Sequence, residues 1–168
     1  MMIALRFIHI VAGVFWAGSV FYTAVFLLPS VLAAGPAGGA VMQQIVGVRK
    51  FPTYAMVAAI LTVLAGLGMY GLNAKMSHGS WPRSTPGIVY GIGGLFAIVT
   101  VVAGATFIAP TAEKLGKLGA AIGASGGPPT PEQRATMASL QNRLKSGSSF
   151  AAWMLLVVVI CMSVARYL

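Results

Sequence analysis

The chain has 168 residues, of which 58% are hydrophobic and 8% charged, and its formal net charge is +9. A soluble globular domain carries roughly 25% charged residues, so this composition excludes that class and predicts an integral membrane protein. Glu113 and Glu132 are the two acidic residues, too few for a Ser-His-Asp hydrolase or a carboxylate-based proton pump.

Four uncharged runs divide the chain, and each can include the roughly 20 apolar residues that cross a bilayer. The runs are residues 7–48, 51–74, 84–112 and 146–165. We therefore predict an all-α membrane protein, a four-transmembrane-helix bundle forming one domain over residues 1–168. The predicted spans are about 3–28, 52–73, 86–109 and 149–167.

The first run is too long for one span. Pro29 and the segment "AAGPAGG" at 33–39 are expected to end the first helix, which leaves 40–48 as an interfacial piece. The apolar stretch from Phe7 to Leu28 is longer than the 7 to 15 residues of a signal-peptide core, which favours an uncleaved signal anchor.

Local sequence marks the later helix starts. Pro52 and the segment "STP" at 84–86 place proline at a first helical position, with Ser or Thr available as a cap. Glycines in the spans, including Gly66 on the second and the pair Gly87 and Gly91 on the third, allow close helix approach.

The connection over 110–148 is predicted to be a cytoplasmic helical hairpin. Glu113 and Lys117 form an i, i+4 pair, and Thr130 and Gln133 fit a capping box before the returning arm. Each arm has an apolar stripe at helical spacing, suited either to packing of the two arms or to docking of a partner. The stripes are Leu115, Leu118 and Ile122, then Met137, Leu140 and Leu144.

The basic residues predict the orientation. Seven of them flank one side of the predicted bundle and four the other: Arg49, Lys50, Lys114, Lys117, Arg134, Arg143 and Lys145 against Arg6, Lys75, Arg83 and Arg166. The positive-inside rule places the seven in the cytoplasm, so both termini are expected to be periplasmic in a bacterial inner membrane. The net charge is then explained by topology and by attraction to anionic lipid, and no nucleic-acid partner is expected.

His9 lies inside the first span, where an ionisable side chain is a functional candidate. Arg6, Gly13 and Trp16 fall at i−3, i+4 and i+7, on the same helix face. This order suits haem b: His9 would ligate iron, Gly13 would leave room for the ring, Trp16 would pack below, and Arg6 would meet a propionate. Arg166 lies at a similar depth and is a further propionate candidate. The alternative is that His9 merely bonds a neighbouring helix.

Soft ligands are frequent in the predicted outer half, and imidazole, thioether and thiol bind copper or haem iron. The metal candidates that we single out are His9, His78, Met69 and Met76. A single cysteine, Cys161, excludes a CxxC metal or redox pair.

The stretch "HIVAGVFWAGSVFYTAVFLLP", from His9 to Pro29, resembles the opening helix of two small bacterial membrane families. These are the HemJ-type protoporphyrinogen oxidases and the CopD-type copper-resistance domain, in which a His is followed by W-x-G or W-A-G and an aromatic residue. The first resemblance implies b-type haem at His9, and the second implies a copper role.

Three functional hypotheses remain open. The chain could be a haem b-binding redox or electron-transfer protein, a copper-binding or copper-transporting protein, or a non-catalytic accessory subunit of a membrane complex. In the last case the glycine-rich faces and the hairpin would form the interface, with a homodimer or a larger assembly in the lipid bilayer as partner.

Overall fold

The computed structural model of the protein describes residues 1–168, apart from the side chain of Pro36, and these residues form a helical bundle. Four helices are long and apolar enough to cross a membrane, and a shorter apolar helix lies between the first two. In chain order they are α1 Met2–Ala33, α2 Ala37–Val48, α3 Phe51–Met76, α4 Thr85–Ala124 and α5 Pro131–Tyr167.

The four long helices pack as two close pairs, α1 with α3 and α4 with α5. Contacts of α3 with α4 and of α1 with α5 join the pairs into one bundle. Its core is built around Trp16 on α1 and small or aliphatic residues of the other three helices: Ala58, Ala59, Ala97, Leu155 and Val158. Most other large apolar side chains are exposed, a distribution that suits helices able to cross a membrane.

Two long helices contain a π-helical turn that ends two residues before a proline. Thr23–Leu27 precedes Pro29 in α1, and Gly104–Ile108 precedes Pro110 in α4. A proline inside an α-helix lacks an N–H and clashes with the carbonyl four residues earlier, and the wider turn relieves that clash. The prediction that Pro29 helps to end the first helix is therefore wrong, because α1 continues to Ala33.

The chain reverses after α1 at Gly35, whose φ of 58° is a left-handed value that favours glycine. The backbone of Gly38 then approaches the Val31 carbonyl so closely that no β carbon would fit between them. The predicted interfacial piece at 40–48 lies in helix α2.

The predicted helix starts lie within one residue of the observed ones, Phe51 and Thr85, and each proline takes the second rather than the first helical position. Pro52 lies in the first turn of α3, and the Ser84 hydroxyl accepts a hydrogen bond from the Gly87 N–H, with 3.3 Å between nitrogen and oxygen. At the start of α5, the Thr130 hydroxyl accepts from the Gln133 N–H and the Gln133 side chain accepts from the Thr130 N–H. Both bonds of the predicted capping box are present.

The segments 113–124 and 131–145, which we call the two arms, are helical and form the last part of α4 and the first part of α5. Glu113 and Lys117 form the predicted ion pair at 2.6 Å. Five of the six residues of the two apolar stripes are half-buried and Leu144 is buried, while the charged residues beside them are exposed. Each stripe is thus less exposed than the charged residues of its arm.

Candidate functional site

His9 is half-buried where α1 crosses α3. Its Nδ1 lies 2.8 Å from the backbone carbonyl oxygen of Thr62. A carbonyl oxygen only accepts hydrogen bonds, so Nδ1 is the donor and carries the proton. In a neutral ring with this tautomer, Nε2 carries the lone pair. Within the described part of the chain, Nε2 has no hydrogen-bond partner.

Small residues on α3 make this close crossing possible. Ala58, Thr62 and Gly66 follow one another at intervals of four and form a stripe along one helix face. A β carbon added at Gly66 would stand 2.9 Å from Cε1 and 3.1 Å from Nδ1 of His9. The imidazole edge therefore lies directly on the α3 backbone, and only glycine at position 66 allows this without a shift.

Gly13 and Trp16 belong to the same helix contact. A β carbon at Gly13 would be 3.3 Å from Cγ2 of Thr62. The Thr62 methyl thus lies beside Gly13, where we expected room for a porphyrin ring. Trp16 is 5% exposed and packs in the bundle core against residues that include Ala58 and Ala59. Between α1 and α3 this part of the face is a packing surface rather than a slot.

The two arginine candidates lie on the surface. Arg6 is exposed one turn before His9 on α1. Arg166 is exposed in the last turn of α5, which packs on α4, and its Cζ lies 5.2 Å from the ring centroid of Tyr167. Arg6 lies on the same helix as His9, whereas Arg166 lies at the end of α5. Arg6 is therefore the better candidate to bind an anionic group near His9.

The metal candidates other than His9 are spread along α3 and beyond its end. Met69 is half-buried one turn after Gly66, whereas Met76 is 75% exposed. Met76 follows Gly66 by ten residues, a distance of about 15 Å along a helix axis. His78 lies further on, exposed, at φ 50°. In the described part of the chain no three His, Cys, Asp or Glu side chains form a group that could hold a metal ion.

Sequence reasoning missed Thr62 as the partner of His9. The spacing of Ala58, Thr62 and Gly66 is a small-residue pattern that marks the close face of α3. It also missed an aromatic cluster at the α3–α4 connection, where the Trp81 ring lies 5.1 Å from that of Tyr70 and 5.9 Å from that of Tyr90. The Tyr70 hydroxyl donates to the Gly87 carbonyl at 3.2 Å.

Comparison of the chain with family models, with curated proteins and with solved structures finds no match. The resemblance of α1 to the HemJ and CopD types remains a prediction from the residues between His9 and Pro29.

Proposed function

We propose that this chain is an integral membrane protein that binds haem b through His9 and serves redox or electron-transfer chemistry. The observation that supports the proposal is the hydrogen bond from His9 Nδ1 to the Thr62 carbonyl at 2.8 Å. Histidine ligands commonly donate their second ring N–H to a carbonyl, because this bond fixes the tautomer and holds the ring in place. His9 is thereby prepared to offer Nε2 to iron.

The fit of the surrounding residues is partial. The Thr62 methyl lies close to Gly13, which leaves little room for a ring between α1 and α3, and the residues that would hold a porphyrin are then His9 and Arg6 rather than Gly13. Arg6, exposed one turn away, can offer a guanidinium to a propionate there. Bound haem would supply one-electron chemistry, and the chain would hold it through His9.

The second axial position distinguishes several forms of the proposal. Gly66 contacts His9, and His78 lies more than ten residues after Gly66. This separation disfavours His78 as the second ligand of an iron bound to His9. In the remaining forms the second ligand would be absent, would be a methionine such as Met69, or would be His9 of a second copy of the chain. Absorption spectra of the oxidised and reduced protein separate five-coordinate, His/Met and bis-His iron.

A second candidate function rests on the same contact. The contacts of His9 with Thr62 and Gly66 also suit a purely structural role, in which they hold α1 against α3. In that case the chain is an accessory subunit of a membrane complex, and His9 has no ligand. Haem binding requires Nε2 of His9 as a ligand, whereas the structural role requires only the hydrogen bond from Nδ1.

His9→Asn separates them, because an asparagine Nδ2 occupies nearly the position of histidine Nδ1 and can still donate to the Thr62 carbonyl. We expect protein produced with ample haem supply to carry a Soret band that His9→Asn removes without lowering the melting temperature appreciably. The matched control His78→Asn should keep the band. A haem-free wild type would refute haem binding; if metal analysis then finds copper, the CopD-type role is supported instead.

We also propose a multi-pass location in the bacterial inner membrane, with both termini periplasmic and the two arms cytoplasmic. The support is the bias of seven basic residues against four. The aromatic cluster of Tyr70, Trp81 and Tyr90 fits a membrane interface at the end of the bundle with fewer basic residues.

A further inference from the structure

An apolar groove of about 320 Å³ runs between α4 and α5 near the arms. Its size is at the lower end of the roughly 300–1,000 Å³ that small-molecule sites have. One wall follows the π-helical turn Gly104–Ile108, which precedes Pro110. The lining residues are Ala103, Phe107, Ile108, Ser146, Gly147 and Phe150.

The two helices are held close along this groove by Gly147. A β carbon there would stand 2.9 Å from Cε1 of Phe107 and 3.2 Å from Cγ1 of Ile108. The Cδ1–Cε1 edge of the Phe107 ring therefore lies against the α5 backbone at Gly147, and Phe107 keeps 38% of its surface exposed. The groove has an apolar floor that is open to the lipid side.

Arg143 lies at the arm end of the groove. Its Cζ is 5.2 Å from the centroid of the Phe107 ring, and it is one helical turn from Gly147 on the same face of α5. The side chain is exposed, so the guanidinium rests on the ring while N–H groups remain available to an anion. The positive charge of Arg143 thus lies at the arm end of the apolar groove.

The depth of Arg143 follows from the sequence of α5. The uncharged run 146–165 has 20 residues, about 30 Å of helix, which is the thickness of the hydrocarbon core. Ser146, Gly147 and Phe150 are then just inside the hydrocarbon, and Arg143 is at the level of the lipid headgroups. The groove opens where acyl chains and headgroups meet.

We propose that this groove binds one anionic phospholipid, with an acyl chain along Phe107 and Phe150 and the headgroup phosphate on Arg143. Charge complementarity identifies the occupant. Glu113 is ion-paired with Lys117, and Glu132 lies 11 residues before Arg143, about 16 Å along the helix. A guanidinium binds a phosphate by two parallel hydrogen bonds, and the excess of basic residues at this end favours a headgroup with net negative charge.

Native mass spectrometry of the detergent-purified full chain tests this. We expect phosphatidylglycerol to remain bound at one copy per chain more tightly than phosphatidylcholine. Arg143→Gln should weaken phosphatidylglycerol binding about tenfold, the effect of one lost charge-assisted contact. Lys145→Gln removes the same charge two residues away and outside the groove, so it should change the affinity less than about twofold.

Ser146→Leu narrows the groove at an exposed position and should weaken both lipids alike. Equal affinity for the two lipids in the wild type would overturn the proposal, as would equal losses in Arg143→Gln and Lys145→Gln. Displacement of bound phosphatidylglycerol by millimolar inorganic phosphate would also overturn it, because an anion site alone would then account for the binding. Melting temperatures without added lipid verify that each variant is folded.

Discussion

His9 of α1 and Gly66 of α3 face each other so closely that a β carbon on Gly66 would stand 2.9 Å from Cε1 of the imidazole. The same ring donates a hydrogen bond to the Thr62 carbonyl, one turn earlier on α3. Both contacts come from α3, so they hold the imidazole on the side that faces this helix. The position of His9 is thus determined by the packing of two helices, whether or not its other nitrogen binds iron.

Replacement of Gly66 by alanine tests this packing. We expect Gly66→Ala to displace the imidazole and to destabilise the protein by about 1–3 kcal/mol, the usual cost of overpacking. Gly71→Ala, on the same helix with open space around its Cα, is the control and should be neutral or stabilising by up to about 1 kcal/mol. Denaturation in detergent compares them, and equal stability of the two variants would contradict the contact.

The helix starts were predictable because their chemistry is local. Pro52, Ser84 and the pair Thr130 and Gln133 carry the information within a few residues of each start. The continuation of α1 past Pro29 was not predictable, because a proline ends a helix unless a wider turn accommodates it.

The candidate site was only partly predictable. The face of His9, Gly13 and Trp16 is set by helical spacing, but the partner of His9 is a backbone carbonyl, and every residue has one. Which carbonyl lies opposite depends on the crossing of α1 and α3, and so does the side chain that fills the space at Gly13. Neither is encoded in a local pattern.

The capping box at the start of α5 should stabilise the returning arm. Thr130→Ala removes the hydroxyl that accepts from the Gln133 N–H and should cost about 1 kcal/mol. Hydrogen exchange of the amides in the first turns of α5 should then accelerate about fivefold. Thr136→Ala, at an exposed position six residues after Thr130, should leave those amides unchanged. Equal exchange in both variants would show that the cap contributes nothing.

The ion pair in the first arm gives a pH dependence. The hydrogen bond and the charge of Lys117 lower the pKa of Glu113 below its ordinary value of 4.5. A group with a lowered pKa in the folded state stabilises the arm above its ordinary pKa and loses that contribution as the pH falls through the lowered one. Carbon-13 NMR of the Glu113 carboxyl should therefore give a midpoint below 4.5.

Lys117→Met should raise that midpoint, while Lys114→Met, which removes the adjacent positive charge, should raise it less. An unchanged midpoint in Lys117→Met would contradict the pairing of these two side chains.

The charge bias of the connections predicts the orientation. Reporters fused to the C-terminus should report a periplasmic location, and reporters inserted at 125–130 should report the cytoplasm, because seven of the basic residues flank that side. The reverse pattern would place His9 in the cytoplasmic half of the membrane.

The central claim is that Nε2 of His9 is bonded to iron. The chain has two histidines, so His78→Asn leaves His9 as the one site that ¹⁵N-histidine labels. Electron-nuclear double resonance of the ferric, haem-loaded variant should then show one strongly coupled ¹⁵N from the ligating nitrogen and one weakly coupled ¹⁵N from Nδ1. Haem bound without strong ¹⁵N coupling, or no bound haem at all, would contradict the account.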